Sequence, residues 1–150
     1  MTDRSYLAAN AEATEALQTL VASLGDDDLS ADLGGGWTVS MALAHLAFWD
    51  AWHLARWQHA AGAGLVAPPP VADEVSNRAN EALEATWRAL APDRAAVLVL
   101  DAAAAADALI AGLPDASVDA AREAGGGRWV ERWPHRQDHV AQITRALGRD

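Results

Sequence analysis

No cysteine occurs among the 150 residues. That removes disulfides, thiolate metal ligands and a cysteine nucleophile together. Basic charge is also scarce. Eleven basic residues face 21 acidic ones, for a formal net charge of −10. An acidic surface of this kind repels phosphate backbones and anionic headgroups, so neither a nucleic acid nor a membrane is expected as a partner. No apolar run approaches a membrane span, and residues 1–10 carry no apolar signal-peptide core. These absences lead to the expectation of a cytoplasmic protein. No stretch alternates β-branched and polar residues, so no sheet is expected. The triple glycines at 34–36 and 125–127 lack the lysine that a phosphate loop would want.

What remains is a helix-forming chain. Hydrophobic residues make up 51%, and the length suits one domain over 1–150 with its own core. In residues 4–24, Leu7, Asn10, Thr14, Leu17, Val21 and Leu24 recur at spacings of three and four, the stripe of an amphipathic helix stopped by Gly25. A second helix is expected from Val39 to Ala61, with Thr38 as N-cap and Gly62 as stop. It is apolar on two sides, with Val39, Leu43 and Leu46 on one and Met41, His45, Phe48, Trp49 and Trp52 on another, which places it centrally. Pro68-Pro69-Pro70 marks a rigid connector. A polar helix over 72–90, a helix over 93–112 after Pro92, and a last helix from Pro134 to Gly148 complete the set. Residues 26–36 and 113–127 read as loops. The pattern predicts an all-α four-helix bundle with an extra crossover helix.

Three histidines carry the functional reading. His135 and His139 are four apart at the head of the last helix and project from one face. Five histidines in this length give some pair at that spacing roughly one time in six by counting against a helical template, so the pair alone is weak. His45 strengthens it, because an imidazole on an otherwise hydrophobic helix side needs a buried partner. If the three converge, they form a three-histidine set with an open position, the arrangement of a catalytic metal site. His53 and His59 read as surface or bundle-edge residues. Trp37, Trp49, Trp52, Trp57, Trp129 and Trp133 cluster along the chain near these histidines and could wall an apolar pocket for a small-molecule substrate. Trp49, Trp52, Arg56 and Gln142 are the pocket candidates, with Arg56 able to anchor a carboxylate. Asp138, beside His139, is a candidate for orienting a ligand imidazole, although a helix N-terminal acid needs no such role. Asp50 falls among aliphatic residues and is either paired or partly exposed.

The stretch "GWTVSMALAHLAFWD", with His45 eight residues after Trp37, and the closing "HRQDHVAQI" resemble the DinB-like (YfiT-like) superfamily. The residue-level match is confined to these two stretches, while helix order and length agree along the whole chain. The resemblance implies a four-helix bundle, commonly a homodimer, with a divalent metal held by His45, His135 and His139. Zinc is favoured, and nickel, iron or manganese also suit three imidazoles. Members include S-transferases that use bacillithiol or mycothiol, maleylpyruvate isomerases and hydrolases. A metal-dependent transferase acting through a low-molecular-weight thiol leads, since the chain supplies no thiol of its own. The alanine-, tryptophan- and arginine-rich composition hints at a high-GC source and at mycothiol. A hydrolase using metal-bound hydroxide and a non-enzymatic metal-binding module are the alternatives. The isomerase ranks lower, because those relatives usually extend beyond the bundle.

Overall fold

The computed structural model describes residues 1–149. Four long helices form the bundle. These are α1 (Tyr6–Ser23), α3 (Val39–Gly62), α5 (Pro92–Ala111) and α7 (Trp133–Ala146). They neighbour one another in the cyclic order α1, α7, α3, α5. The crossover helix α4 (Asp73–Ala89) lies against α3. The all-α architecture and the four-plus-one plan thus follow the sequence pattern.

Local chemistry explains most boundaries. The Thr38 hydroxyl accepts from the Met41 amide at 3.3 Å and caps α3. Pro92 occupies the first turn of α5, where its missing N–H costs nothing. α3 ends at Gly62, and the left-handed residue beyond it is Gly64, at φ 71°. α3 is the most enclosed helix, burying Val39 through Ala47 without a break. Its neighbours supply Leu17, Val99, Ala103 and Ile143 to the main core, and a second cluster gathers Tyr6, Trp57, Ile110, Val118 and Val130.

The short elements depart from expectation, and a two-stranded hairpin stands where no sheet was expected. The supposed loop 26–36 contains α2 (Asp26–Leu29) and the first strand of a hairpin, β1 (Asp32–Gly34) with β2 (Trp37–Thr38). Gly35 and Gly36 turn it with φ of 62° and 81°, the double positive φ of a two-residue hairpin turn. The supposed loop 113–127 contains α6 (Asp115–Glu123), which buries Val118 and Ala121. A 3₁₀ turn at Gly127–Trp129 follows. Among the described residues no single helix is long and apolar enough to cross a membrane. Helices α5 and α6 would pass only as a pair bent by 107°, and the stripe Ala95, Val99, Ala103, Ala106 and Ile110 of α5 is spent inside the bundle.

Candidate metal centre

His45 from α3 meets His135 and His139 from the first turns of α7. Every pair of ring centroids is 5.0 Å apart. One nitrogen from each ring lies within 4.8 Å of the other two. The closest approach is Nε2 of His45 to Nε2 of His135, at 3.0 Å. Two nitrogens bound about 2.0–2.1 Å from one ion are themselves about 3.0–3.4 Å apart, so this spacing fits co-ligands. Of the groups around the cluster, Gln142 is the best placed. Its Oε1 lies 2.9 Å from Nδ1 of His139, which holds a proton there and leaves Nε2 free to ligate. Nδ1 of His45 is buried without a partner. Nδ1 of His135 lies 3.4 Å from the Arg132 guanidinium.

The electrostatics keep these rings neutral. Burial pushes His45 down to about 4, assisted by His139 and Arg132. Burial pushes His135 to about 2, with the Arg132 charge next in weight. His139 is lowered by burial as well, against the opposing pull of Gln142. Neutral imidazole is the form a metal requires, so the donor set needs no deprotonation at neutral pH.

Aromatic rings wall the cluster. Trp37, delivered by the hairpin, sits 5.3 Å from His45, and Trp49 6.4 Å. The nearest indole is Trp87 of α4, at 5.1 Å and 90°, and sequence reasoning missed it. It is the one buried residue of an otherwise polar helix, which was the available signal. Trp57 instead joins the second core cluster, its Nε1 donating to the Trp129 carbonyl at 2.9 Å.

The cluster opens into a cleft of about 830 Å³ between α3, α4 and residues 124–138. Of the four pocket candidates, Trp49, Trp52 and Arg56 line it and Gln142 lies outside the lining. Trp49 is fixed by its Nε1 donating to Asn80 at 2.9 Å. Arg56 stacks 4.7 Å from the Trp129 ring and donates to the Pro69 carbonyl, so the proline connector holds it. Asp138 also borders the cleft but is exposed and makes no hydrogen bond to His139; Gln142, one turn on, reaches the ring instead. His59 is exposed, as expected. His53 is not at the surface. It is 9% exposed and lines the cleft, because α3 is covered by the 124–138 segment there. A groove of about 540 Å³ between α1 and α7 holds no histidine.

Beneath the cluster lies a charge network that the sequence did not reveal. Asp50 is paired on both oxygens, with Arg132 at 2.8 Å and Arg136 at 3.0 Å. All three are at most 3% exposed. Arg136 continues to Asp107 at 2.8 Å and to Thr14 at 2.8 Å. The network ties all four bundle helices together at the level of His135. An acid isolated on an apolar helix face was its signal, and Arg132 and Arg136, four apart around His135, are its answer.

The model of one family, the mycothiol maleylpyruvate isomerase N-terminal domain, matches residues 10–139. The chain belongs to that family. The family lies within the DinB-like superfamily, so the resemblance read from the two motifs holds. No curated protein and no solved structure matches the chain.

Proposed function

We propose that the protein is a metal-dependent enzyme that delivers a low-molecular-weight thiol to an electrophile. The convergence of His45, His135 and His139 carries this reading, with His45 and His135 lining the cleft. Among the described residues no fourth histidine or carboxylate joins the cluster, which favours an open coordination position over a closed structural site. A divalent ion there would lower the pKa of a bound thiol or water and so supply a nucleophile at neutral pH. The family name points to mycothiol as that thiol, and a sugar-bearing body suits the polar wall formed by Ser76, Asn77 and Asn80.

The chain's own groups do the rest. Gln142 fixes the tautomer of His139. Trp37, Trp49 and Trp87 exclude water from the cluster on the α4 side and hold the imidazole of His45 edge-on. Trp52 offers the electrophile a flat apolar surface in the cleft. The homodimer implied by the superfamily belongs to the same proposal and is checked by mass in solution.

The test starts with metal content of protein purified without a nickel column. Near one ion per chain is expected, lost in both His45→Ala and His139→Ala. Metal-loaded protein should then consume a chloro-dinitroarene only when mycothiol or another small thiol is present. Turnover of ester substrates with no thiol requirement would replace the transferase with a hydrolase. Protein that takes up no ion on reconstitution would refute both.

A further inference from the structure

The cleft has a second polar end, away from the three-histidine cluster. His53 lies eight residues beyond His45 on α3, about 12 Å along the helix axis. Its ring lines the cleft, it is 9% exposed, and its Nδ1 is enclosed with no hydrogen-bond partner. That nitrogen is shut off from the cleft, whereas Nε2 is not enclosed and has no hydrogen-bond partner among the described residues, so Nε2 is the atom a ligand in the cleft can reach.

Arg56 is near enough to His53 to act on its charge, as is the buried Arg132 that Asp50 holds, and Arg128 shares the cleft. Arg56 and Arg128 both line the same cleft, and neither forms an ion pair with a carboxylate among the described residues. Seven of the eleven basic residues are so paired, in a chain whose acids outnumber its bases by ten. Arg94 and Arg145 are the other two without such a partner, and what sets Arg56 and Arg128 apart is that they share one concave surface. Arg56 is also held rigid by Trp129 and the Pro69 carbonyl, with most of its N–H groups still free. The acids nearby do not cancel these charges. Glu131 is engaged by Arg122 at 3.0 Å, Asp138 stands on α7 beside His139, and Asp73 opens α4. Burial and the charges of Arg132 and Arg56 keep His53 neutral, so it offers one donor and one acceptor.

We infer that His53, Arg56 and Arg128 form an anion subsite that takes a carboxylate at the far end of the cleft. An elongated ligand can then reach from the three-histidine floor to this subsite. The site stands without the three-histidine reading, because none of its members is one of the three histidines.

The probe is benzoate, whose ring suits Trp52 and whose carboxylate suits the guanidiniums. Benzamide is its uncharged control. Binding is followed by tryptophan fluorescence and by chemical-shift titration of the intact protein. Saturable benzoate binding is expected, with benzamide at least tenfold weaker. Arg128→Ala, an exposed position, should weaken benzoate on the order of tenfold, as should His53→Asn, while Arg94→Ala on another surface should not. Binding that persists in His139→Ala separates the subsite from the metal centre, so either reading can fail alone. Competition by glutathione but not by 2-mercaptoethanol would place the carboxylate on the thiol, and competition by neither would place it on the electrophile; both outcomes support the subsite. Equal binding of benzamide, or benzoate affinity unchanged in both Arg128→Ala and His53→Asn, would overturn it.

Discussion

Replacing Asp50 with asparagine removes one negative charge from the middle of the bundle and leaves two buried guanidiniums to answer for it. Their fates differ. Arg136 keeps Asp107 at 2.8 Å, whereas Arg132 has no other carboxylate and retains only the Arg128 carbonyl and the edge of His135. The change therefore uncovers essentially one buried cation. Breaking a buried pair from one side typically costs about 3–5 kcal/mol, chiefly through the unpaired charge that remains. Against a total stability of about 5–15 kcal/mol, that is a large share. For a chain of this length it lowers Tm by roughly 6–20 °C. Asp107→Asn provides the internal comparison. That carboxylate is 23% exposed and Arg136 would still hold Asp50, so the loss should be less than half as great. Thermal and urea unfolding followed by circular dichroism measure both. If Asp50→Asn lies within about 1 kcal/mol of the parent, or if Asp107→Asn costs as much, the network is not the electrostatic keystone described here.

The metal-free protein should lose stability on acidification from pH 6.5 to about 4. His45 is held down to about 4, so in that window the unfolded chain takes up its proton and the folded one does not. The loss from this group alone is about 3 kcal/mol, and His53 and His135 extend it toward lower pH; urea unfolding at pH 7, 5.5 and 4.5 that gives one common stability would contradict this. Gly126→Ala places a methyl group into the Trp129 ring, so we expect a loss of about 1–3 kcal/mol and a shifted Trp129 fluorescence, with neither seen at Gly62→Ala, where the added carbon meets open space. Asn10→Ala should cost about 2–4 kcal/mol by thermal melting, since it strips partners from the Val130 carbonyl and from the Arg132 and Trp133 amides at once.

The long helices were legible because each repeats its apolar residues at helical spacing and carries its own punctuation, as Thr38 and Pro92 show. The short elements were not. α6 is nine residues between Pro114 and Gly125, too brief for periodicity to outweigh its flanking breakers. The hairpin exists because three glycines accept positive φ, and its strands are too short to show alternation. At the site, spacing along one helix showed only the pair His135 and His139, and His45 joined them through the resemblance carried by the two motifs. The position of His53 could not be read from spacing, since its burial comes from a segment more than 70 residues away. Trp87 was overlooked for a related reason. One indole on a polar helix gives no stripe, yet it is the residue by which α4 docks. The charge network was hidden because Asp50, Asp107, Arg132 and Arg136 each look ordinary until four helices meet.

Asn10 has a consequence for the order in which the protein assembles. The first turn of α7 has no side-chain cap of its own. Asn10 takes that role from α1, accepting from the amides of Arg132 and Trp133 at 2.9 and 3.0 Å and donating to the Val130 carbonyl at 2.8 Å. The helix start that presents His135 and His139 is thus completed by a side chain more than 120 residues earlier. Contacts of such sequence separation form late, after shorter loops have closed. The histidine trio is accordingly expected to complete late in folding. Full metal affinity is then expected to appear in a refolding experiment only once α1 has docked on α7 and its Asn10 has completed the start of that helix.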